Sequence, residues 1–576
     1  MTRREPTIPG APTDAEHTPM PLASLVLILA APQARDLAAD CDALLARYAR
    51  AGWSGSVLVA RDGKPLLARG YGQADAGSGR DNDEHTLFEI ASLAKQFTAA
   101  AILKLAQQGK LELDDPIAEH LPGVPAHSKG ITIHHLITHT SGVPRSNTAG
   151  GGEDLAAAVP TYLGEGPLAK PGQRFEYWNG GYALLAGIVE RASGISFTEY
   201  CERELFAPAS MRDTGFTGDT DLDPQRAAVG HDQRGAPRSA LEHPYGAFGY
   251  QYRGMGGVVT TVLDLHRWDR ALAGADVLNT AARKQLFTPA KEGYACGWWV
   301  TKAERGGERH SHGGDVRGFH CDFRRFPDSG ACIAVLANTD AFPAWEIGEN
   351  LECALFGRSF RYPVPESVAL SAEELAALAG TYTAKAGRMI VRADGGSLLA
   401  GVEGQELISA LLPSRPAGWS PDLEELSATA IQIVESIARG DVELLRKKMA
   451  DPGWGRWPDD VRDSIYPEYE KQHGRLKQVT ALGAVPEGGR VEIVLQLEHE
   501  VSPGRVRIAF SQAGLEILDW NGPEFPATLR LLPQGGTRFL TAATATGAQP
   551  RAFEFLRKGQ RITGVKTQGL ELKRAQ

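Results

Sequence analysis

The hydrophobic pattern changes character once, around Pro363 and Pro365, and that break limits the possible folds more than any other feature. Before it, from about residue 36 to 358, helical and strand patterns alternate irregularly, as in a helical region packed on a mostly antiparallel sheet. Asp36 to Arg50 aligns Leu37, Cys41, Leu44, Leu45 and Tyr48 on one helical stripe that stops at Gly52. Ser56 to Arg61 and Pro65 to Gly72 read as strands around an Asp62-Gly63 turn. Ser92 to Gln108 reads as a strong helix closed by Gly109, and Asn179 to Ala192 as another. Phe319 to Phe326 and Ala331 to Ala337 read as a hairpin whose second strand, almost wholly apolar, is central in its sheet. After the break, Gly-rich strand texture runs from Gly380 to Leu412 and resumes from Leu529 to Lys573. Between them lie a helical stripe (Leu426, Ala430, Ile433, Val434, Ile437) and strands of period two such as Val491, Ile493, Leu495 and Leu497. Leu411-Leu412-Pro413 before Trp419 is echoed by Leu531-Leu532-Pro533 before Phe539, a faint internal likeness. At about 150 residues per domain, 576 residues exceed one core. The expected division is a leader over 1–35, an α+β domain over 36–360, a small β-barrel over 366–422 plus 521–576, and an inserted α+β module over 423–520.

Composition excludes several classes of function. The 61 Lys and Arg against 70 Asp and Glu give a net charge of -9 without a basic run, so there is no footprint for nucleic acid. Six cysteines in so long a chain make no disulfide framework and are expected as buried small hydrophobes. No apolar run reaches the roughly 18–20 residues of a membrane span. Leu22 to Pro32 has the length of a signal-peptide apolar core, with Ala34 as a small residue near a cleavage point, but Pro9, Gly10 and Pro12 follow Arg3 and Arg4 awkwardly. The expectation is a periplasmic or secreted protein, a cytoplasmic one being the alternative.

Three separated segments carry chemistry. Ser92-Leu93-Ala94-Lys95 opens a helix with a hydroxyl and an amine at i and i+3, whose Cβ atoms lie about 5–6 Å apart on one face. For Lys95 to accept a proton, its pKa must fall from about 10.4 toward about 7, which burial achieves. The plain alternative is an N-cap serine and a solvated lysine. Tyr177-Trp178-Asn179 offers a phenol to relay a proton and an amide to hold Lys95 or a substrate carbonyl; plainly read, it is a half-buried tyrosine and an N-cap asparagine. His312-Gly313-Gly314 puts glycines where a substrate backbone can approach a strand edge, or marks a simple turn. His134, His135 and His139 suggest metal ligation by spacing, and Trp298 and Trp299 line either a groove or a core. No Gly-x-Ser-x-Gly elbow, Walker A loop or His-Glu-x-x-His occurs.

Together, in this order, Ser92–Lys95, Tyr177–Asn179 and His312–Gly314 resemble the motifs of the penicillin-recognising serine hydrolases: class C β-lactamases, penicillin-binding carboxypeptidases, D-aminopeptidases and related esterases. Ile131 to Gly142, Gly256-Gly257, Asp264-Leu265, Trp268 and Gly318-Phe319 are also similar, so the resemblance spans about residues 40–358. It implies a β-lactamase-like fold and an acyl-enzyme on Ser92, with Lys95 and Tyr177 moving protons, an oxyanion hole from the N–H groups of Ser92 and Asp315, and substrate contacts from Asn179, His312 and Gly314. It implies structural roles for the three histidines, no cofactor, no metal, and an ester, small-molecule or peptide substrate; it leaves the oligomeric state open. Two departures stand out. Asp315 replaces a small uncharged residue and is expected to turn toward Arg317, and His312 replaces the lysine of true β-lactamases, leaving weaker, pH-dependent attraction for a substrate carboxylate. Residues 366–422 with 521–576 resemble a lipocalin-like barrel, expected to project a loop over the cleft, and 423–520 resemble a cone-shaped module of the nuclear-transport-factor type. The competing readings are an acyltransferase or peptide cyclase using the same acyl-enzyme, and a non-catalytic sensor or scaffold.

Overall fold

The structure is a computed structural model that describes residues 36–575 apart from 145–151, 165, 232–236, 362–363, 395, 413–418, 420, 451–456, 488–489, 521 and 542–549. The leader expected over 1–35, Pro363 at the texture break and Pro413 of the internal likeness lie outside the described residues.

The first region folds as its patterns dictate. Helix α1 (Leu37–Arg50) buries Cys41, Leu44, Leu45 and Tyr48. Strands β1 (Gly55–Arg61) and β2 (Lys64–Tyr71) are joined through Asp62 and Gly63, both at positive φ, as a two-residue hairpin turn requires. Helix α2 (Lys95–Gln107) ends in a Schellman motif: Gly109 N–H donates to Ala106 O and Lys110 N–H to Leu105 O, with Gly109 at φ 68°. Helix α3 (Asn179–Ser193) follows, and then β3 (Trp299–Lys302), β4 (Glu308–Val316), β5 (Phe319–Phe326), β6 (Ala331–Ala337) and helix α4 (Ala344–Leu355).

One six-stranded sheet runs β3-β4-β5-β6-β1-β2. The continuous apolar run of β6 is buried at every residue between β5 and β1. Because side chains alternate across a strand, Leu58, Ala60, Ala334 and Leu336 share a core with Phe97 and Leu103 of α2 and Leu185 of α3. Val57, Val59, Ile333 and Val335 face the other way, onto Leu45 and Tyr48 of α1 and Ile347 and Leu351 of α4. Each such aliphatic side chain contributes about 1.5–3 kcal/mol when fully buried. All six cysteines are buried and free.

Beyond residue 366, eight strands close into a barrel. Three come before the interruption (Gly380–Ala384, Gly387–Asp394, Ser397–Glu403) and five after it (Ala527–Gly535, Arg538–Thr541, Ala552–Lys558, Arg561–Thr567, Leu570–Arg574). Pairing of Tyr382 with Arg574 and of Thr383 with Lys573 seals the cylinder, which leaves no open sheet edge. The interruption packs a helix (Leu423–Ala438), through Ile433 and Ile437, onto a four-stranded antiparallel sheet through Leu495 and Val506.

Two expectations are corrected. The strand texture expected to reach Leu412 ends at Glu403, and Gln405–Leu411 is a helix. Leu411 is therefore helical while Leu531 lies in a strand, so the internal likeness reflects composition and no shared unit. The barrel meets the first region behind the sheet: Arg47 pairs with Glu366 at 2.8 Å, a Cβ on Gly52 would collide with the Arg530 guanidinium, and Leu532 is buried in the core under α1 and α4. These contacts lie on the face away from α2.

Candidate active site

Ser92 does not open an α-helix. It sits in a 3-10 turn (Ala91–Ala94) just before α2, because tertiary contacts hold that turn from both sides. Ile90 N–H donates to Val258 O at 3.0 Å, and Ile90 O accepts from Leu93 N–H at 3.0 Å and from Cys321 Sγ at 3.2 Å. Ala91 has φ 44°, a left-handed conformation that costs a non-glycine residue about 1–3 kcal/mol and persists only where surroundings enforce it.

Lys95 begins α2 and is wholly buried. Its Nζ donates to Ser92 Oγ at 2.9 Å and to Met255 O at 3.1 Å, and lies 5.0 Å from the Tyr177 ring centre and 5.6 Å from that of Tyr182. Burial lowers the Lys95 pKa well below its ordinary value. The plain alternatives for this motif fail: neither the turn nor α2 has a side-chain cap, and the lysine is not solvated.

Tyr177 arrives from the other side of Ser92 and shares a hydrogen bond with it, while burial pushes its phenol pKa up, keeping it protonated at neutral pH. The Tyr177 ring lies 4.3 Å from that of His139, whose Nδ1 accepts from Trp178 N–H at 3.1 Å. Asn179 is the first helical residue of α3, with Trp178 as the N-cap, so it does not cap. Its Oδ1 is buried without a partner, and the hydrogen bonds of Lys95 go to Ser92 and Met255, so of the two roles expected for Asn179, holding Lys95 or a substrate carbonyl, the first is not seen.

The third segment lies along β4. Strand β3 pairs only as far as Trp299 opposite Ser311, so from His312 onward β4 is paired with β5 on one side and meets the Ser92 turn on the other. A Cβ on Gly314 would lie 2.5 Å from Ile90 O and 2.8 Å from Ser92 N, closer than side chains ever approach backbone. Only glycine lets strand and turn meet here. His312 is buried, with Nε2 3.3 Å from Tyr294 Oη and Nδ1 2.6 Å from Gly313 O. Burial, and then the nearby Lys95, push its pKa down to about 4. His312 is therefore neutral at physiological pH, in line with a weaker, pH-dependent attraction for a substrate carboxylate than a lysine would give.

Asp315 follows Gly314 but points to the other face of the strand, its side chain 81% exposed. Its partner is His320 across the hairpin, with Nδ1 2.6 Å from Asp315 Oδ1, whereas Arg317 stacks over Tyr245 at 4.9 Å. The expected Asp315–Arg317 contact is thus replaced by a cross-strand one. Trp298 is core, packed on Phe287 and Phe323, and Trp299 stands edge-on to Tyr294 at 5.0 Å. The helix carrying His134 and His135 ends at Ile137, so His139 does not share their face; His135 closes a capping box with Thr132. A cavity of about 680 Å³ further along β4, around Arg283, Phe287, His310 and Arg325, touches none of the candidate residues.

The structure thus brings Ser92, Lys95, Tyr177, His312 and Gly314 around one point, with Asn179 at the start of the adjoining helix. Sequence reading missed Met255, next to the noted Gly256-Gly257, and Tyr294, while His139, expected to be structural, supports Tyr177 and Trp178.

Comparison with known proteins decides the family. The family model described as Beta-lactamase matches residues 37–350. The chain belongs to the Beta-lactamase family. It is 30% identical over 345 residues to penicillin-binding protein 4* of Bacillus subtilis (strain 168), a match covering 54% of this chain and 74% of that protein. It is also 30% identical over 290 residues to the putative penicillin-binding protein PbpX of the same strain, covering 50% and 70%. Among solved structures, the octameric penicillin-binding protein homologue from Pyrococcus abyssi superposes with a TM-score of 0.50 at 19% identity, covering 83% of this chain and 98% of that one, a likeness of fold alone. The Beta-lactamase-family fold, that of penicillin-binding-like serine hydrolases, is here combined with a closed eight-stranded barrel. No helix among the described residues is long and apolar enough to cross a membrane.

Proposed function

We propose that this chain is a serine hydrolase that cleaves an ester or peptide bond through an acyl-enzyme on Ser92. The observation that carries the reading is the 2.9 Å contact between the Ser92 hydroxyl and an amine whose pKa burial lowers well below its ordinary value. Ser92 Oγ attacks the substrate carbonyl as its proton passes to Lys95. The oxyanion is held by the N–H groups of Ser92 and Asp315, across the gap that Gly314 leaves open. The bond to the leaving alcohol or amine then breaks as that group receives a proton through Tyr177, which burial keeps as a neutral phenol. Water enters in the second half, gives its proton to Lys95, and releases the acid and free Ser92. Asn179, with its unpartnered Oδ1, is suited to orient a substrate N–H.

A neutral His312 favours substrates recognised through an uncharged carbonyl over those defined by a carboxylate, and so esters or small, including D-, amino-acyl peptides over β-lactams. Incubation with a fluorophosphonate followed by intact mass gives one adduct on the wild type and none on Ser92→Ala. An adduct that survives Ser92→Ala removes the nucleophile assignment, and no adduct on the wild type favours a sensor. A panel of p-nitrophenyl esters, D- and L-aminoacyl anilides and nitrocefin then ranks substrates, with amine acceptors added to detect transfer. The leader reading places the protein in the periplasm or outside the cell, which amino-terminal sequencing of material from each fraction checks.

A further inference from the structure

Asp315 sets a problem for the proposed oxyanion site, because a carboxylate one residue beyond Gly314 opposes negative charge developing on a substrate. The structure contains an answer in His320. In the β4–β5 hairpin, Asp315 and His320 are direct cross-strand partners on the face opposite Gly314. His320 Nδ1 lies 2.6 Å from Asp315 Oδ1, and its Nε2 lies 2.5 Å from Asp340 Oδ1 in the segment after β6. Both ring nitrogens face carboxylate oxygens at hydrogen-bond distance, and a carboxylate can only accept, so both must carry protons. The ring is an imidazolium held on two sides.

We propose that His320 is a positioning residue that neutralises Asp315 and fixes its carboxylate behind β4, so that the strand segment facing Ser92 presents a hydrogen-bond donor without an opposing charge. This rests on the oxyanion role given to the Asp315 N–H above. Other charged groups near this end of the hairpin are engaged elsewhere: Arg317 lies over Tyr245, and Arg238 pairs with Glu89 at 2.5 Å. The backbone of His231 bridges to Thr339 beside this end of the hairpin, and its buried Nε2 makes no hydrogen bond, so the carboxylates of Asp315 and Asp340 are held by His320. Burial opposes the charge on His320, but the hydrogen bonds it donates to Asp315 and Asp340 and their negative charges outweigh it and raise its pKa to about 9. The Asp315 side chain is 81% exposed, so water screens it, and an unneutralised carboxylate there slows formation of an oxyanion by about three- to tenfold.

The test uses the full chain with its best p-nitrophenyl ester. His320→Gln lowers kcat about three- to tenfold with KM within twofold, and adding Asp315→Asn to it restores most of the lost kcat, since the charge to be neutralised is gone. Wild-type kcat falls on an alkaline limb near pH 9 that the double variant lacks. Carbon-13 labelled histidine followed by NMR gives a second measurement that needs no variant: His320 titrates near 9. Unchanged kcat in His320→Gln, no rescue by the second substitution, or a His320 midpoint near 6.5 each overturns the inference. A wild type that forms no fluorophosphonate adduct fails on Ser92 instead, so failure of the functional reading is distinguishable from failure of this one.

Discussion

Replacing Gly314 with alanine adds one methyl group at the place where the turn of Ser92 and strand β4 touch. The new Cβ would stand 2.5 Å from Ile90 O and 2.8 Å from Ser92 N, while ordinary contact begins near 3.4 Å. Relief therefore needs about 0.9 Å of separation (3.4 less 2.5), and both neighbours are backbone that Val258 and Cys321 hold in place. Overpacking of this kind costs about 1–3 kcal/mol of stability. A gap widened by that much takes an oxyanion donor from about 2.9 Å to about 3.8 Å, outside hydrogen-bond range. Losing one such donor lowers the rate about 10²–10³-fold. The assay is the rate of fluorophosphonate adduct formation by intact mass, with a thermal melt in parallel. Gly313→Ala is the control: its Cβ meets only Cys321 O, at 3.0 Å, so about 0.4 Å of adjustment is enough and less than tenfold is lost. A Gly314→Ala protein acylated within threefold of wild type would refute the placement of the oxyanion site between Ser92 and β4.

Lys95→Met keeps the volume but removes the proton acceptor. Adduct formation drops about 10²–10⁴-fold, while the melting temperature stays within a few degrees, since the buried amine was itself costly to desolvate; retained reactivity would exclude Lys95 as the base. The pH profile of the wild type rises with pH through the lowered Lys95 midpoint, because the neutral amine is the active form. His320 makes stability depend on pH in the opposite direction. Its folded pKa of about 9 lies above the ordinary 6.5, so its contribution is complete below about pH 6.5 and is lost as pH rises through 9. That difference corresponds to about 3 kcal/mol, read as a falling urea midpoint between pH 7 and 10 that His320→Gln lacks. Leu532→Ala, a barrel residue, costs about 2–5 kcal/mol in the core beneath α1 and α4, and calorimetry shows the transition of the first region moving with it.

The parts of the fold set by local pattern were legible in the sequence. The β5–β6 hairpin could be read because an unbroken apolar strand has to be central, and the end of α2 could be read because Gly109 alone among its neighbours takes positive φ freely. What escaped was set by contacts distant in sequence. The 3-10 opening before α2 exists because Val258 and Cys321 hold Ile90, and no property of residues 90–95 announces that. Asp315 was matched to Arg317 by nearness along the chain, whereas strand register gave it to His320. The extent of the His312 shift is likewise set by distant contacts, the burial beside Tyr294 and the lysine amine, which residues 312–314 alone do not announce.

Sealing the cylinder through Tyr382 and Arg574 also sets an order of events during synthesis. The first three staves emerge from the ribosome early, and the outer flank of the first keeps its unpaired amides until the whole intervening module and five further staves have been made. That module pairs only neighbours in sequence and is free to settle first, bringing its two ends together and shortening the loop that closure has to span. Ribosomes that stall within the last staves would leave a sticky, half-built cylinder, and nascent chains of that length are where chaperone dependence should be greatest.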